Sequence, residues 1–335
     1  MSAMDFRALG TTGLQVSRIA LGCGNFGGIG SAPEFYGLGE SDEEAFALMD
    51  AAFELGINVF DTANAYGGGR SETAIGKWLT KRGSAVRDQV LLSTKAFNPV
   101  GDGPNDRGLS RRALFRAVDA SLSRLGAERL DLFLCHEPDP ATPLEETLGA
   151  LDDLRHAGKL HYIGASNTEA WRLARGLWIS DVRGLARFDW VQSGYSLLDR
   201  SPEAEVLPLC ADQGLGFSPF SPLSGGWLTG KYRRDQAPPA GSRMTLRSEP
   251  YEHLQRPEVF DALEALEAMA GERGVDMATL ALAWLLAHPL VNPVVVGPRR
   301  AEHLQPALAA LELKLGVAER DEISALFPTR LGAAS

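Results

Sequence analysis

Cysteine is scarce in this 335-residue chain: Cys23, Cys135 and Cys210 are an odd number, and none forms a CxxC pair. A disulfide framework and a zinc knuckle are thereby excluded as organising devices, and a reducing cytoplasm is the expected compartment. No uninterrupted apolar run reaches about 18 residues, so no membrane span is expected. The opening residues, MSAMDFRALGTTGLQ, hold no basic segment followed by an apolar one, so secretion is not expected either. Dense Lys/Arg runs are missing and the formal net charge is −10, which argues against binding to nucleic acid or to anionic membranes. An anionic ligand would have to be met by local groups.

What is present is an ordinary globular composition, 44% hydrophobic and 23% charged, sufficient for a large core and unlike a disordered chain. Short apolar runs recur, each followed by a turn signal and a longer stretch of helical period. The candidate strands are residues 18–21, 58–60, 90–93, 131–135, 162–164, 190–192, 216–218 and 293–296. Eight strands alternating with helices predict a (β/α)8 TIM barrel, an α/β fold, with residues 1–335 as one domain. Helix starts are signalled by Ser41 with Glu44, by Thr142-Pro143 and Ser201-Pro202, and by Ser71, Ser110, Thr168 and Asp276. Ahead of the first barrel strand, residues 6–9 and 14–16 flank a Gly-Thr-Thr-Gly turn, which predicts an N-terminal β-hairpin over the closed end. Two extra helices are expected, near residues 257–273 and 318–327. Three long loops, residues 25–40, 97–109 and 221–256, should emerge at the C-terminal face, where barrel enzymes place their chemistry.

Asp61 closes VFD, Tyr66 follows it, Lys95 closes LLSTK and His136 closes LFLCH. In a parallel barrel these strand ends share one rim. A phenol is a poor acid at neutral pH, and a nearby ammonium is expected to make its proton easier to give. Lys95 would supply that charge, Asp61 would hold it, and His136 would orient a substrate oxygen. This set suits carbonyl reduction better than hydrolysis. Singly, each residue has a plain structural explanation; together on successive strand ends they read as a catalytic site. Asp61 and His136 would also suit a metal-dependent hydrolase, but no HxH follows the first strand and Lys95 beside the acid favours charge pairing, so no metal is expected. Gly22, Gly24 and Gly27 fit GxGxxG, yet no helix opens after them, so a Rossmann site is not expected.

DTANAYGGGRSE, the STK at Ser93 to Lys95, and DLFLCHEPD resemble the tetrad motifs of the aldo-keto reductase family, and RIALGCGNFGG, HYIGASNTE, GFSPFSPLSGGWLTGKY and VNPVVVGPRR resemble its other strand segments in order. The resemblance implies a reversible NADPH-dependent reduction of an aldehyde or ketone, with Tyr66 as proton donor and Asp61, Lys95 and His136 completing the tetrad. It implies nicotinamide contacts at Ser166, Asn167 and Gln192, a stacking ring at Phe220, and backbone approach at Gly24. Ser221, Leu223, Gly225 and Lys231 match the segment around the pyrophosphate. Gly297, Arg299, Arg300 and His303 match the 2′-phosphate site, and paired arginines favour NADP(H). The chain departs from the family at Pro306 and Ala307, where a Glu-Asn pair commonly reaches the adenosine, so NAD(H) stays open beside NADP(H). Phe26, Phe97 and Trp227 are expected to line the substrate pocket, while Trp171, Trp178 and Trp284 are expected in the core. The partner is a small carbonyl or alcohol. The alternative is a nucleotide-sensing regulatory subunit with little turnover, and the oligomeric state stays open.

Overall fold

In the computed structural model, which describes residues 4–329, ten strands fall into two sheets. A hairpin pairs β1 (Phe6–Ala8) with β2 (Gln15–Ser17) in antiparallel register, Phe6 opposite Ser17. The barrel strands are β3 (Ile19–Gly22), β4 (Val59–Asp61), β5 (Leu91–Ala96), β6 (Leu130–Cys135), β7 (Leu160–Ser166), β8 (Trp190–Gly194), β9 (Gly216–Phe220) and β10 (Val294–Val296). They pair in parallel in the order β10-β3-β4-β5-β6-β7-β8-β9. Between β9 and β10 the ring is drawn together by the Asn292 N–H donating to the Phe217 carbonyl at 2.9 Å and the Ser218 hydroxyl donating to the Pro293 carbonyl at 2.8 Å.

Helices alternate with these strands, as the sequence pattern predicts for a TIM barrel. Ser41 and Glu44 form a reciprocal capping box at Asp42–Glu54, while Ser110 and Asp276 cap Arg111–Leu125 and Met277–Leu286. Other start signals sit differently. Ser71 lies inside Arg70–Arg82 and donates to the Cys23 carbonyl at 2.8 Å, Thr168 donates to the Ser166 carbonyl, and Pro143 is itself the N-cap of Leu144–His156. The two extra helices are Pro257–Glu272 and Val317–Ala325. No described helix is long and apolar enough to cross a membrane.

Side chains alternate along a strand, so every second residue points into the barrel. The inward series start apolar and end polar: Val59 then Asp61; Leu91, Ser93, Lys95; Leu132, Leu134, His136; Trp190, Gln192. Leu9 of the hairpin, Val16, Ala20, Val59, Leu132, Leu134, Trp190 and Val295 form one apolar cluster. It fills the lower barrel. A second, larger cluster packs the helices around the outside of the sheet. The polar ends of the inward series are thus gathered above an apolar floor, at the C-terminal rim.

Trp284 is buried, but Trp171 and Trp178, expected in the core, are 55% and 63% exposed on the outer face of Ala170–Arg183. Residues 173, 176, 177, 179 and 180 make the buried stripe of that helix, and the tryptophans fall on its other side.

Candidate active site

Lys95 is the most heavily buried cation of the rim, 1% exposed. Its Nζ donates to Asp61 Oδ2 at 2.6 Å and to the Thr62 carbonyl at 2.8 Å. Asp61 Oδ1 accepts from Ser93 Oγ at 2.8 Å and from Gln192 Nε2 at 3.1 Å. A buried ion pair survives only when its remaining lone pairs and protons are also satisfied, and three strands supply those partners here. Burial works to lower the Lys95 pKa, but Asp61 and Tyr66 outweigh it and the net movement is upward, so the ammonium stays charged.

The Tyr66 ring stands with its centroid 5.1 Å from Lys95 Nζ and 5.6 Å from the His136 ring, edge to face at 79°. Three glycines shape the turn after it: Gly67, Gly68 and Gly69 have φ of 57°, 67° and 89°. A Cβ on Gly67 would also lie 2.9 Å from the Phe26 carbonyl, so the turn needs glycine for both conformation and space. Burial raises the Tyr66 pKa, Lys95 pulls it down, and burial wins, so the resting phenol is protonated.

Burial, with Lys95 nearby, lowers the His136 pKa to about 3. The ring is therefore neutral, and its Nδ1 lies 3.2 Å from the Asn98 amide nitrogen. An amide N–H donates there, so Nδ1 accepts and Nε2 carries the ring proton. Asn98 was not singled out from the sequence, because it lies past the end of β5, where alternation no longer says which way a side chain points. Ser93 could have been: it is two residues before Lys95 on the same inward face.

Gln192 and Phe220 end inward series, and Ser166 closes β7 with its hydroxyl buried and without a protein partner. Such a group fits a hydrogen bond to a bound carboxamide. Asn167, with φ of 52°, turns its amide nitrogen to Glu137 Oε1 at 2.8 Å and to the His136 carbonyl. Gly24 lies against the Tyr66 ring. The segment after β9 carries consecutive left-handed residues at Ser224, Gly225 and Gly226, with Ser221 at φ 50°. Non-glycine residues held there store strain, and such loops cluster where backbone N–H groups meet anions. Leu223 is half-buried beside them. Gly226 has φ 95°, a backbone that suits glycine, and the flexible end of Lys231 folds over it.

Lys231 feels the charges of Arg243 and Arg299, and Arg243 feels that of Arg299. The Lys231 pKa falls through burial and then through Arg243 and Arg299. Like charges gathered without enough counterions suit a phosphate-bearing ligand. Arg243, whose Nη2 reaches Asn25 Oδ1 at 3.3 Å, was not named from the sequence; the Arg content of its loop was the available signal. Arg299 bonds Glu40 Oε1 at 2.9 Å, and His303 Nδ1 accepts from the Arg299 N–H at 3.3 Å. Gly297 is uncrowded. Arg300 does not join its neighbour: it is exposed and pairs with Glu302 at 3.4 Å.

Phe26 and Trp227, expected at the pocket wall, are core residues, 1% and 2% exposed. Trp227 packs on Tyr232 and Phe260, and Phe26 joins the outer core cluster. Phe97 is half-buried at the end of β5. Among the described residues no group of three His, Cys, Asp or Glu side chains converges as a metal site.

Residues 18–327 match the Aldo/keto reductase family. The chain is 37% identical to "Uncharacterized oxidoreductase YrpG" of Bacillus subtilis (strain 168), over 97% of this chain and 96% of that one. It is 34% identical to versiconal hemiacetal acetate reductase of Aspergillus parasiticus, over 93% and 94%. It is 35% identical to a probable voltage-gated potassium channel subunit beta of Oryza sativa subsp. japonica, over 92% of each. With this match across nearly its whole length, the chain belongs to the aldo/keto reductase family and is an NAD(P)-dependent oxidoreductase acting on carbonyl or CH–OH groups.

Proposed function

We propose that this chain, acting as a single unit over residues 1–335, reduces an aldehyde or ketone to the alcohol reversibly with NADPH. The observation that carries the reading is the buried Lys95–Asp61 pair beneath the Tyr66 ring, beside a neutral His136. When bound, the nicotinamide supplies hydride to the carbonyl carbon. The residues handle the oxygen. His136 donates its Nε2 proton as a hydrogen bond and holds the oxygen beside Tyr66. Tyr66 then gives its hydroxyl proton to that oxygen. The phenolate left behind is stabilised by Lys95, whose influence on this group is to lower its pKa. Asp61 keeps Lys95 charged for that purpose. Run backwards, the phenolate accepts the alcohol proton, and the same residues serve oxidation.

Ser166, Gln192 and the Asn167 region would hold the carboxamide, Phe220 would stack on the ring, and Ser221, Leu223, Gly225, Lys231 and Arg243 would surround the pyrophosphate. Arg299, with Gly297 and His303 at its base, would meet the 2′-phosphate, and Arg300 would contribute only from the rim. Phe97 is the remaining aromatic neighbour for a small carbonyl substrate. A cytoplasmic setting suits the three buried, unpaired cysteines.

The test follows absorbance of reduced cofactor over a broad carbonyl panel, comparing NADPH with NADH. Tyr66→Phe should bind NADPH as the wild type does and lose about 10²–10⁴-fold in kcat. Near-normal turnover in that variant would remove Tyr66 from its role. Tight NADPH binding with no carbonyl reduced would instead favour a nucleotide-sensing regulatory subunit; the rice relative is a probable potassium channel subunit.

A further inference from the structure

Glu40 lies at the end of the loop after β3, one residue before the Ser41 cap, and is 4% exposed. Its backbone is fixed on both sides: its N–H donates to the Asn25 carbonyl, and its carbonyl accepts from the Gly27 N–H, each at 2.9 Å. The backbone that carries the side chain is thereby held in place. Oε1 accepts from Arg299 Nε at 2.9 Å. Oε2 is buried with no hydrogen-bond partner. The carboxylate therefore has one hydrogen-bonding partner, the Arg299 guanidinium.

Arg299 is half-exposed, and one of its terminal nitrogens reaches the Gly241 carbonyl at 3.3 Å. A 2′-phosphate carries close to two negative charges at neutral pH, whereas a 2′-hydroxyl carries none. Any anion that approaches this guanidinium also approaches the buried carboxylate behind it, at a range where the two charges still act on one another. The repulsion acts on the phosphorylated nucleotide and not on its hydroxyl counterpart.

We infer that Glu40 is a specificity-determining residue: its fixed carboxylate neutralises part of Arg299 and narrows the preference for NADPH over NADH, so the chain accepts both nucleotides. The inference deepens the cofactor assignment above and depends on it. Arg300 cannot take over, because it is turned out towards Glu302.

The test is a binding titration of wild type, Glu40→Gln and Glu40→Asp with NADPH, NADH and adenosine 2′-phosphate, read by tryptophan fluorescence and calorimetry without substrate. Glutamine keeps an oxygen for Arg299 Nε and removes the charge. Glu40→Gln should tighten NADPH and adenosine 2′-phosphate by about tenfold and leave NADH within about twofold. Glu40→Asp, which draws the carboxylate back by one methylene, should move the same ligands in the same direction by less. If Glu40→Gln folds poorly, the aspartate series alone decides the sign. Weaker NADPH binding in either variant, or equal changes for both nucleotides, would overturn the inference. A wild type that binds both nucleotides with a ratio unmoved by the variants removes only the role of Glu40. A wild type that binds neither removes the cofactor assignment as well.

Discussion

The two mouths of the barrel are built from the same eight strands but solve opposite problems. At the N-terminal mouth the hairpin inserts Leu9, fully buried, into the apolar floor. Charged groups there serve the backbone: Arg18 donates to the Leu286 carbonyl at 2.7 Å, Asp131 accepts from the Leu92 N–H, and Asp189 accepts from the Ile163 N–H. At the C-terminal mouth charged groups serve one another, as Lys95 and Asp61 do, or converge without enough counterions, as Lys231, Arg243 and Arg299 do. Among the described residues, all four non-glycine residues with positive φ, namely Asn167, Ser221, Ser224 and Asp235, lie in loops that follow strands. One end is closed for stability, and the other keeps strain and unneutralised charge for a ligand.

That contrast can be broken by experiment. The largest stability effect should come from the open mouth: Asp61→Asn leaves Lys95 buried without a counterion, which should cost about 3–5 kcal/mol in chemical denaturation and depress turnover. If Asp61→Asn is as stable as wild type, the ion pair is not the buried unit described here. Leu9→Ala at the closed mouth should cost roughly 2–5 kcal/mol through the cavity it opens, yet leave KM and nucleotide affinity unchanged. A change in cofactor binding would show that the two ends are coupled.

Smaller effects sharpen the comparison. Ser221→Gly should relieve positive-φ strain and stabilise the fold by about 1 kcal/mol, while weakening NADPH binding in a fluorescence titration. Unchanged affinity would mean that the strained loop does not hold the cofactor. The His136 pKa is lowered to about 3 in the fold, so the unfolded chain takes up its proton first as pH falls. The associated stability is complete above the ordinary histidine value and declines between there and about pH 3. His136→Gln should flatten that decline in pH-dependent denaturation. Burial also lowers His288, to about 4, so part of the slope should remain. A slope identical to wild type would place the imidazole in water.

Much of this site was legible in the chain because strands alternate with a period of two. Asp61, Lys95, His136 and Gln192 each sit two residues beyond an inward apolar or small residue, so the same pattern that predicts the barrel also predicts one polar rim. Arg70–Arg82 and Ala170–Arg183 show where local signals lose force: Ser71 and Thr168 are good cap residues by type, but each found a nearer carbonyl. Trp171 and Trp178 were misplaced because hydrophobicity says that a tryptophan prefers burial, not which helix face meets the barrel. Phe26 and Trp227 show another limit: they stand in pocket-bordering loops, and only packing shows how far their rings are buried.

The order of strands and helices, the polar strand ends and the glycines after Tyr66 were determined by the sequence alone, because each depends on neighbours two to four residues away. The Glu40–Arg299 pair joins residues 259 apart, and Asn98 meets His136 across 38. The direction of the Tyr66 pKa likewise depended on burial outweighing Lys95. Only the closed barrel decided these, because charge, burial and contact are properties of distances in space that local spacing along a chain does not contain.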